Sequence, residues 1–331
     1  MDQEIKKLYL KAKRPSKESA EAMSRVARDI TNLDYDPRRE TQTAEDSVKK
    51  LTQHQHVRVV NSGNSAILSV MSTLKGPILI PDQGGWSGFC KMGNFLGLKI
   101  HKITTGLGLI DPELLNQKLQ KTSFKALFLT SFAGYIAEQP VKELYQICEE
   151  NRVLLVEDAS GSLGDTTKKL ACGKHAHVIL ASTGSPKIVN VGSGGFFSTN
   201  NQDLVKESKE ITKTLKPSPL TCAGLSVEIK NASHSFSSTV EGCEFIKKEL
   251  ESVFHRKKRG VNICLPSCNP KKVAYKLRNR INVVGGGMIT ICPRYERIEQ
   301  KAVCLEIKNL DVECLNRDNL ELLVQIVQEV I

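Results

Sequence analysis

Short apolar runs alternate with amphipathic stretches over the first two thirds of the chain. Val57–Val60 reads as a strand and "SAILSVMSTL" after it as a helix. "PILIP" (Pro77–Pro81), "KIHKI", "ALFLTSF", "VLLVED" (Val153–Asp158), "HVILAS" and "GGFFST" repeat the strand pattern. Between them, "DPELLNQKLQK" and "PVKELYQICEEN" carry helical spacing, with Asp111 as a cap and Pro112 in the first turn. Continuous apolar strands alternating with helices predict a mostly parallel sheet covered on both faces.

After Asn200 the rhythm changes. "NQDLVKESKEITKTL" predicts one helix leaving the sheet, and "KPSPLTCAG" breaks the pattern. The last segment, "NRDNLELLVQIVQEVI", predicts an amphipathic helix capped by Asn316 or Asp318. We expect an α/β chain in three parts. These are an N-terminal helical segment (1–45), a large α/β domain (46–212) and a smaller C-terminal α/β domain (213–331).

Composition adds constraints. The 331 residues are 40% hydrophobic and 25% charged, ordinary values for a globular chain with a sizeable core. No run of 18 apolar residues occurs, and the start lacks the apolar stretch of a secretory signal. The expectation is a soluble, cytoplasmic protein without membrane contact. Ten cysteines are scattered with no C-x-x-C, which favours buried reduced thiols over a metal site. The net charge of +11 is uneven: His255–Arg280 holds nine Lys or Arg and no acid. Phe254 and Tyr275 are the aromatics there, so a nucleic acid such as tRNA would be held mainly by its phosphates.

In an open parallel sheet, ligands bind beyond the carboxyl ends of the strands. Four features fall there. "NSGNSA" (Asn61–Ala66) opens a helix, and the amides of Gly63, Asn64 and Ser65 suit a phosphate. Glu157 and Asp158 end the most apolar strand, either capping the next turn or serving a ligand. Trp86, the one tryptophan, follows a strand end, as core packing or as a flat surface for an aromatic ring. Lys187 follows "HVILAS", with Ser182 before it and Gly192-Ser193-Gly194-Gly195 after it. Beside an apolar sheet its pKa is expected to fall, leaving a nucleophilic amine. A phosphate cradle, a carboxylate, an aromatic face and a lysine are the parts that hold pyridoxal 5'-phosphate.

The motifs resemble the fold-type-I pyridoxal-phosphate enzymes, and most closely the DegT/DnrJ/StrS aminotransferases. That family's E-D-A matches Glu157-Asp158-Ala159. Its S-x-x-x-x-K-x-x-x-x-G-x-G-G matches Ser182, Lys187, Gly192, Gly194 and Gly195. Its S-G-T-A phosphate turn is similar to Ser62–Ala66, and its aromatic after a P-x-x-x-W stretch to Trp86. The resemblance spans roughly Val57 to Thr199. It departs at Gly161, where many relatives have Gln, and at "STGSP" before the lysine.

The resemblance implies an aminotransferase for a small amino/keto substrate. Lys187 forms the Schiff base and then shuttles a proton, Asp158 holds the ring nitrogen protonated, and Gly63, Asn64, Ser65, Trp86 and Ser182 complete the cofactor site. It also implies a C2 homodimer. Arg294 in "CPRYER" is the candidate for a substrate carboxylate, because Arg pairs with one bidentately. The alternatives are β-elimination or replacement on an amino acid or a phosphoseryl-tRNA, and a regulator that binds the cofactor without catalysis.

Overall fold

The computed structural model describes residues 6–293 and 297–331. The chain opens with strand β1 (Leu8–Lys11), then helices α1 (Lys17–Asp29) and α2 (Pro37–Thr52). The large domain then alternates β2 (His56–Val60), α3 (Gly63–Met71), β3 (Ile78–Pro81), α4 (Gly88–Phe95), β4 (Ile100–Ile103) and α5 (Pro112–Lys121). It continues with β5 (Ala126–Thr130), the small ribbon β6 (Phe132–Ala133) and β7 (Ala137–Glu138), α6 (Val141–Glu150), β8 (Leu154–Asp158), β9 (Val178–Ser182) and β10 (Gly195–Thr199). Helices α7 (Gln202–Glu207), α8 (Lys209–Thr214), α9 (Pro219–Glu228) and α10 (Ala232–Glu249) follow. The C-terminal part comprises β11 (Ile263–Pro266), α11 (Pro270–Arg280), β12 (Ile281–Val284), β13 (Ile289–Cys292), β14 (Ala302–Leu305) and α12 (Arg317–Val330).

The large sheet has the order β2-β10-β9-β8-β5-β3-β4, and only β10 runs antiparallel to its neighbours. Burial on both faces explains the apolar runs. Leu127, Leu129, Leu155, Ile179 and Phe196 pack into one core layer, and Phe128, Val156, Val178, Leu180 and Phe197 into the layer behind it. The reversal of β10 has a local consequence. Its first residue, Gly195, lies level with Val60 and Ser182, the last residues of β2 and β9. The glycine run is thereby drawn to the strand ends that carry the candidate chemistry.

Three details differ from the sequence pattern. The helix expected after Asn200 divides into α7 and α8 at Ser208, whose hydroxyl donates to the Val205 carbonyl. Asn316, rather than Asp318, caps α12 by accepting from the Asn319 amide. The N-terminal segment also contains a strand. β1 runs parallel to β12, and Leu8 and Leu10 join the C-terminal core.

Eight of the ten cysteines are buried. Cys264, Cys292 and Cys304 fill the space where the β11-β14-β13 sheet meets Ile136 and Ala137. Among the described residues no helix is long and apolar enough to cross a membrane, and no cluster of His, Cys, Asp and Glu is arranged to hold a metal.

Candidate active site

A cavity of about 300 Å³ opens where the carboxyl ends of β8 and β9 meet the start of α3 and the C-terminal domain. Gly63, Asn64, Trp86, Asp158, Ser182 and Lys187 all line it. Six residues separated by up to 124 positions are brought together because each follows a strand at the same edge of the sheet. Ser65, the remaining phosphate candidate, sits behind the wall instead. Its hydroxyl donates to Asn61 and its amide to the Ser62 hydroxyl that caps α3. Arg294 lies outside the described residues.

The cradle at α3 depends on a missing side chain. A Cβ on Gly63 would stand 2.6 Å from the Ser182 Cβ, so only glycine lets the two strand ends close together. The first amides of a helix have no acceptor within it and face outward. Trp86 stands over this end, its indole N–H donating to Asn64 Oδ1 at 2.9 Å.

Asp158 and Glu157 point to opposite sides of β8. Asp158 Oδ1 accepts from the Ser160 amide (3.0 Å) and hydroxyl (2.5 Å), and the Ser160 hydroxyl accepts from the Ser182 amide. One serine thus ties the ends of β8 and β9 together beneath the cavity. Burial raises the Asp158 pKa, opposed by Lys187 and Ser160. Glu157 faces away from the cavity, accepting from Ser131 Oγ and the Ala171 amide, with Oε2 unpartnered.

Lys187 Nζ donates to the Tyr135 hydroxyl at 2.9 Å and lies 5.9 Å from the Trp86 ring centre. The expected fall in its pKa does not occur. Burial works against the ammonium, but Tyr135 and Asp158 outweigh burial and hold the pKa above the ordinary lysine value. Tyr135 also accounts for Gly161. A Cβ there would come within 2.7 Å of the Tyr135 ring, which fills the space a larger residue would need.

The wall opposite the sheet comes from the C-terminal domain. Glu306 accepts two 3.0 Å bonds from Arg297 and further bonds from Thr290 and Asn262. Lys308 Nζ stands 3.4 Å from the same carboxylate. Burial alone would raise Glu306, yet Arg297 and Lys308 bring its pKa to about 2. Lys308 is pushed down to about 7 by burial, with Glu306 pulling back and Lys187 and Arg297 adding repulsion. Arg297, Lys308 and Lys187 all approach the Tyr135 ring, with ring-centre distances of 4.7, 5.0 and 5.1 Å.

Sequence reading missed Tyr135, Ser160, Arg297, Glu306 and Lys308. The available signal was the charge in "AVCLEIKN", where Glu306 and Lys308 interrupt an apolar strand end. A larger cleft of about 810 Å³ lies at the free edge of β2, lined by Arg58, Lys206 and Lys213 among others. It shares no lining residue with the cavity that holds Lys187.

The model of the DegT/DnrJ/EryC1/StrS aminotransferase family matches residues 17–216, and that of the MJ1341 family C-terminal domain matches 233–328. A UDP-4-amino-4,6-dideoxy-N-acetyl-beta-L-altrosamine transaminase of Campylobacter jejuni (strain 81-176) is 24% identical over 219 residues. That match covers 59% of this chain and 58% of the relative's length. Among solved structures, PseC of Helicobacter pylori, an aminotransferase involved in the biosynthesis of pseudoaminic acid, has a TM-score of 0.75 at 15% identity. The match covers 98% of this chain and 99% of PseC. Serine palmitoyltransferase of Sphingomonas wittichii has a TM-score of 0.76 at 12% identity, covering 98% and 87%. Both likenesses show the fold. With more than half of its residues matched by the first family model, the chain belongs to the DegT/DnrJ/EryC1/StrS aminotransferase family.

Proposed function

We propose that the chain is a pyridoxal-phosphate-dependent aminotransferase for an amino/keto substrate. The observation that carries this reading is the meeting of Lys187, a buried Asp158 and the open N-terminus of α3 in one cavity. The residues fit the cofactor. The α3 amides and Ser182 suit a phosphate, with no Cβ on Gly63 to obstruct the approach. Asp158 is a buried carboxylate for the ring nitrogen, and Trp86 offers an aromatic face. When bound, the cofactor supplies an aldehyde for Lys187 and a ring that accepts electrons.

The chain's own groups then divide the work. With the cofactor in place, Lys187 Nζ would be the group positioned to carry a proton to and from the substrate α-carbon. Tyr135 orients that nitrogen through its hydroxyl. The buried Asp158 carboxyl would hold the cofactor's ring nitrogen protonated. Arg297, Glu306 and Lys308 form a charged wall on the substrate side. Amino sugars linked to UDP are the first substrates to try, given the activity named for the Campylobacter relative.

The test is spectral. Protein mixed with the cofactor gains a visible absorbance, and Lys187→Ala removes it. An amino donor then bleaches the wild-type band and a keto acceptor restores it. A protein that takes up no cofactor, or whose band no amine changes, sinks the reading.

We further propose a C2 homodimer whose second copy covers the mouth of the site. In support, Trp86 is 38% exposed and Phe95, at the end of the helix that follows it, 76% exposed. Light scattering at micromolar concentration should give twice the chain mass. A monomer with full cofactor would contradict this.

A further inference from the structure

Two basic runs far apart in sequence share one face of the C-terminal domain. β1 lies parallel to β12, with Tyr9 level with Asn282, and α11 leads directly into β12. Residues 6–14 therefore lie beside residues 280–286, the segment that α11 (residues 270–280) leads into. Together these segments carry nine Lys and Arg outside the core and no Asp or Glu. Asp2 and Glu4, the nearest acids in sequence, leave that excess standing. Among described acids, Glu329 pairs with Arg280, and Asp311 and Glu313 border the far end of β1.

In the other half of the basic stretch, 255–259, Arg256 and Arg259 are engaged by the fold, while Lys257 and Lys258 stay exposed. Arg256 donates to the carbonyls of Lys247 and Lys248, and Arg259 pairs with Glu138 and Asp165. The basic face is thus narrower than the sequence implied, and it gains an N-terminal half.

Two tyrosines stand on it. Tyr9 is 62% and Tyr275 66% exposed. Tyr275 is one helical turn from Arg278 and Asn279, which line a depression of about 450 Å³ together with Lys7, Tyr9 and Arg280. Dense positive charge beside exposed aromatic rings matches a polynucleotide with unstacked bases, whose phosphates take the cations and whose bases take the rings. A membrane surface fits less well, because among the described residues Val284 is the only exposed large aliphatic side chain here.

We propose that the face formed by β1, α11 and β12 binds single-stranded nucleic acid. This surface is separate from the cofactor cavity and does not depend on the reading of that cavity.

The test is fluorescence anisotropy with labelled, unstructured RNA and DNA of about 16 nucleotides. Binding should weaken with salt, at a slope near −0.7 per phosphate neutralised. Lys271→Glu, Lys272→Glu and Lys276→Glu combined should lower affinity about 100-fold and flatten that slope. Tyr9→Ala with Tyr275→Ala should lower it about 30-fold or more with the slope unchanged. Circular dichroism should stay unaltered in both variants. Tighter binding of RNA than of DNA of the same sequence assigns the partner as RNA, and the reverse assigns DNA. No binding at low salt overturns the proposal. So does an equal loss on reversing Lys206, Lys209 and Lys213 at the β2 edge, or binding to anionic lipid vesicles alone.

Discussion

Tyr135 adopts a backbone φ of +65°, in the left-handed region, where a bulky residue is strained by about 1–3 kcal/mol. The strain directs its hydroxyl onto Lys187 and its ring between three cations. Because Tyr135 helps hold the lysine protonated, Tyr135→Phe should lower the Lys187 pKa. The pH at which half of the protein captures pyridoxal phosphate should then move down, as read by absorbance across a pH series. An unchanged midpoint would mean that Tyr135 only fills space. This residue also marks the limit of what the sequence discloses. Asp158, Ser182 and Lys187 were legible because each follows an apolar run at a fixed interval. Tyr135 is set by a turn conformation that leaves no mark of its own. Its trace was Gly161, a small residue whose reason is visible only once the ring above it is seen.

At the level of elements, β8 separates two adjacent carboxyls by the two-residue period of a strand. Asp158 joins the cavity. Glu157 is fully buried behind it, and burial raises its pKa from 4.5 to about 7, against the pull of Ser131 and Ala171. Between those values the folded chain holds a proton that the unfolded chain has lost. The contribution of Glu157 to stability therefore falls as pH rises from about 4.5 to 7, by roughly 3 kcal/mol, while His54, held down to about 4 by burial, contributes in the opposite sense. Glu157→Gln cannot ionise, so over that window the wild-type urea midpoint should fall relative to that of the variant. Equal slopes would refute this account. The central strands β3, β5 and β9 were readable because both faces are packed and nearly every position is apolar. The divided helix after Asn200 was not, since a hydroxyl at Ser208 reads the same whether it meets water or bonds back to the helix.

For the molecule as a whole, the cavity lies between parts of the chain that different family models recognise. Its sheet side could be read from local motifs. Its charged wall could not, because Arg297, Glu306 and Lys308 reach Tyr135 only through the docking of the C-terminal sheet. The N-terminal strand has the same non-local character. "LYLK" alternates buried and exposed positions, but its partner lies at the other end of the chain. Leu10→Ala should cost about 2–5 kcal/mol. Limited proteolysis should then cut the C-terminal domain first, and an unchanged cleavage pattern would count against the coupling. The pairing also sets an order of events during synthesis. About 270 residues separate Leu8 from its neighbour Ile281. At the pace of translation, β1 leaves the ribosome roughly 14–55 s before β12 exists. Through that interval Leu8 and Leu10 have no place to go, while the entire large domain is made and folds beside them. A chaperone that recognises short apolar segments would find its target in this strand of the nascent chain.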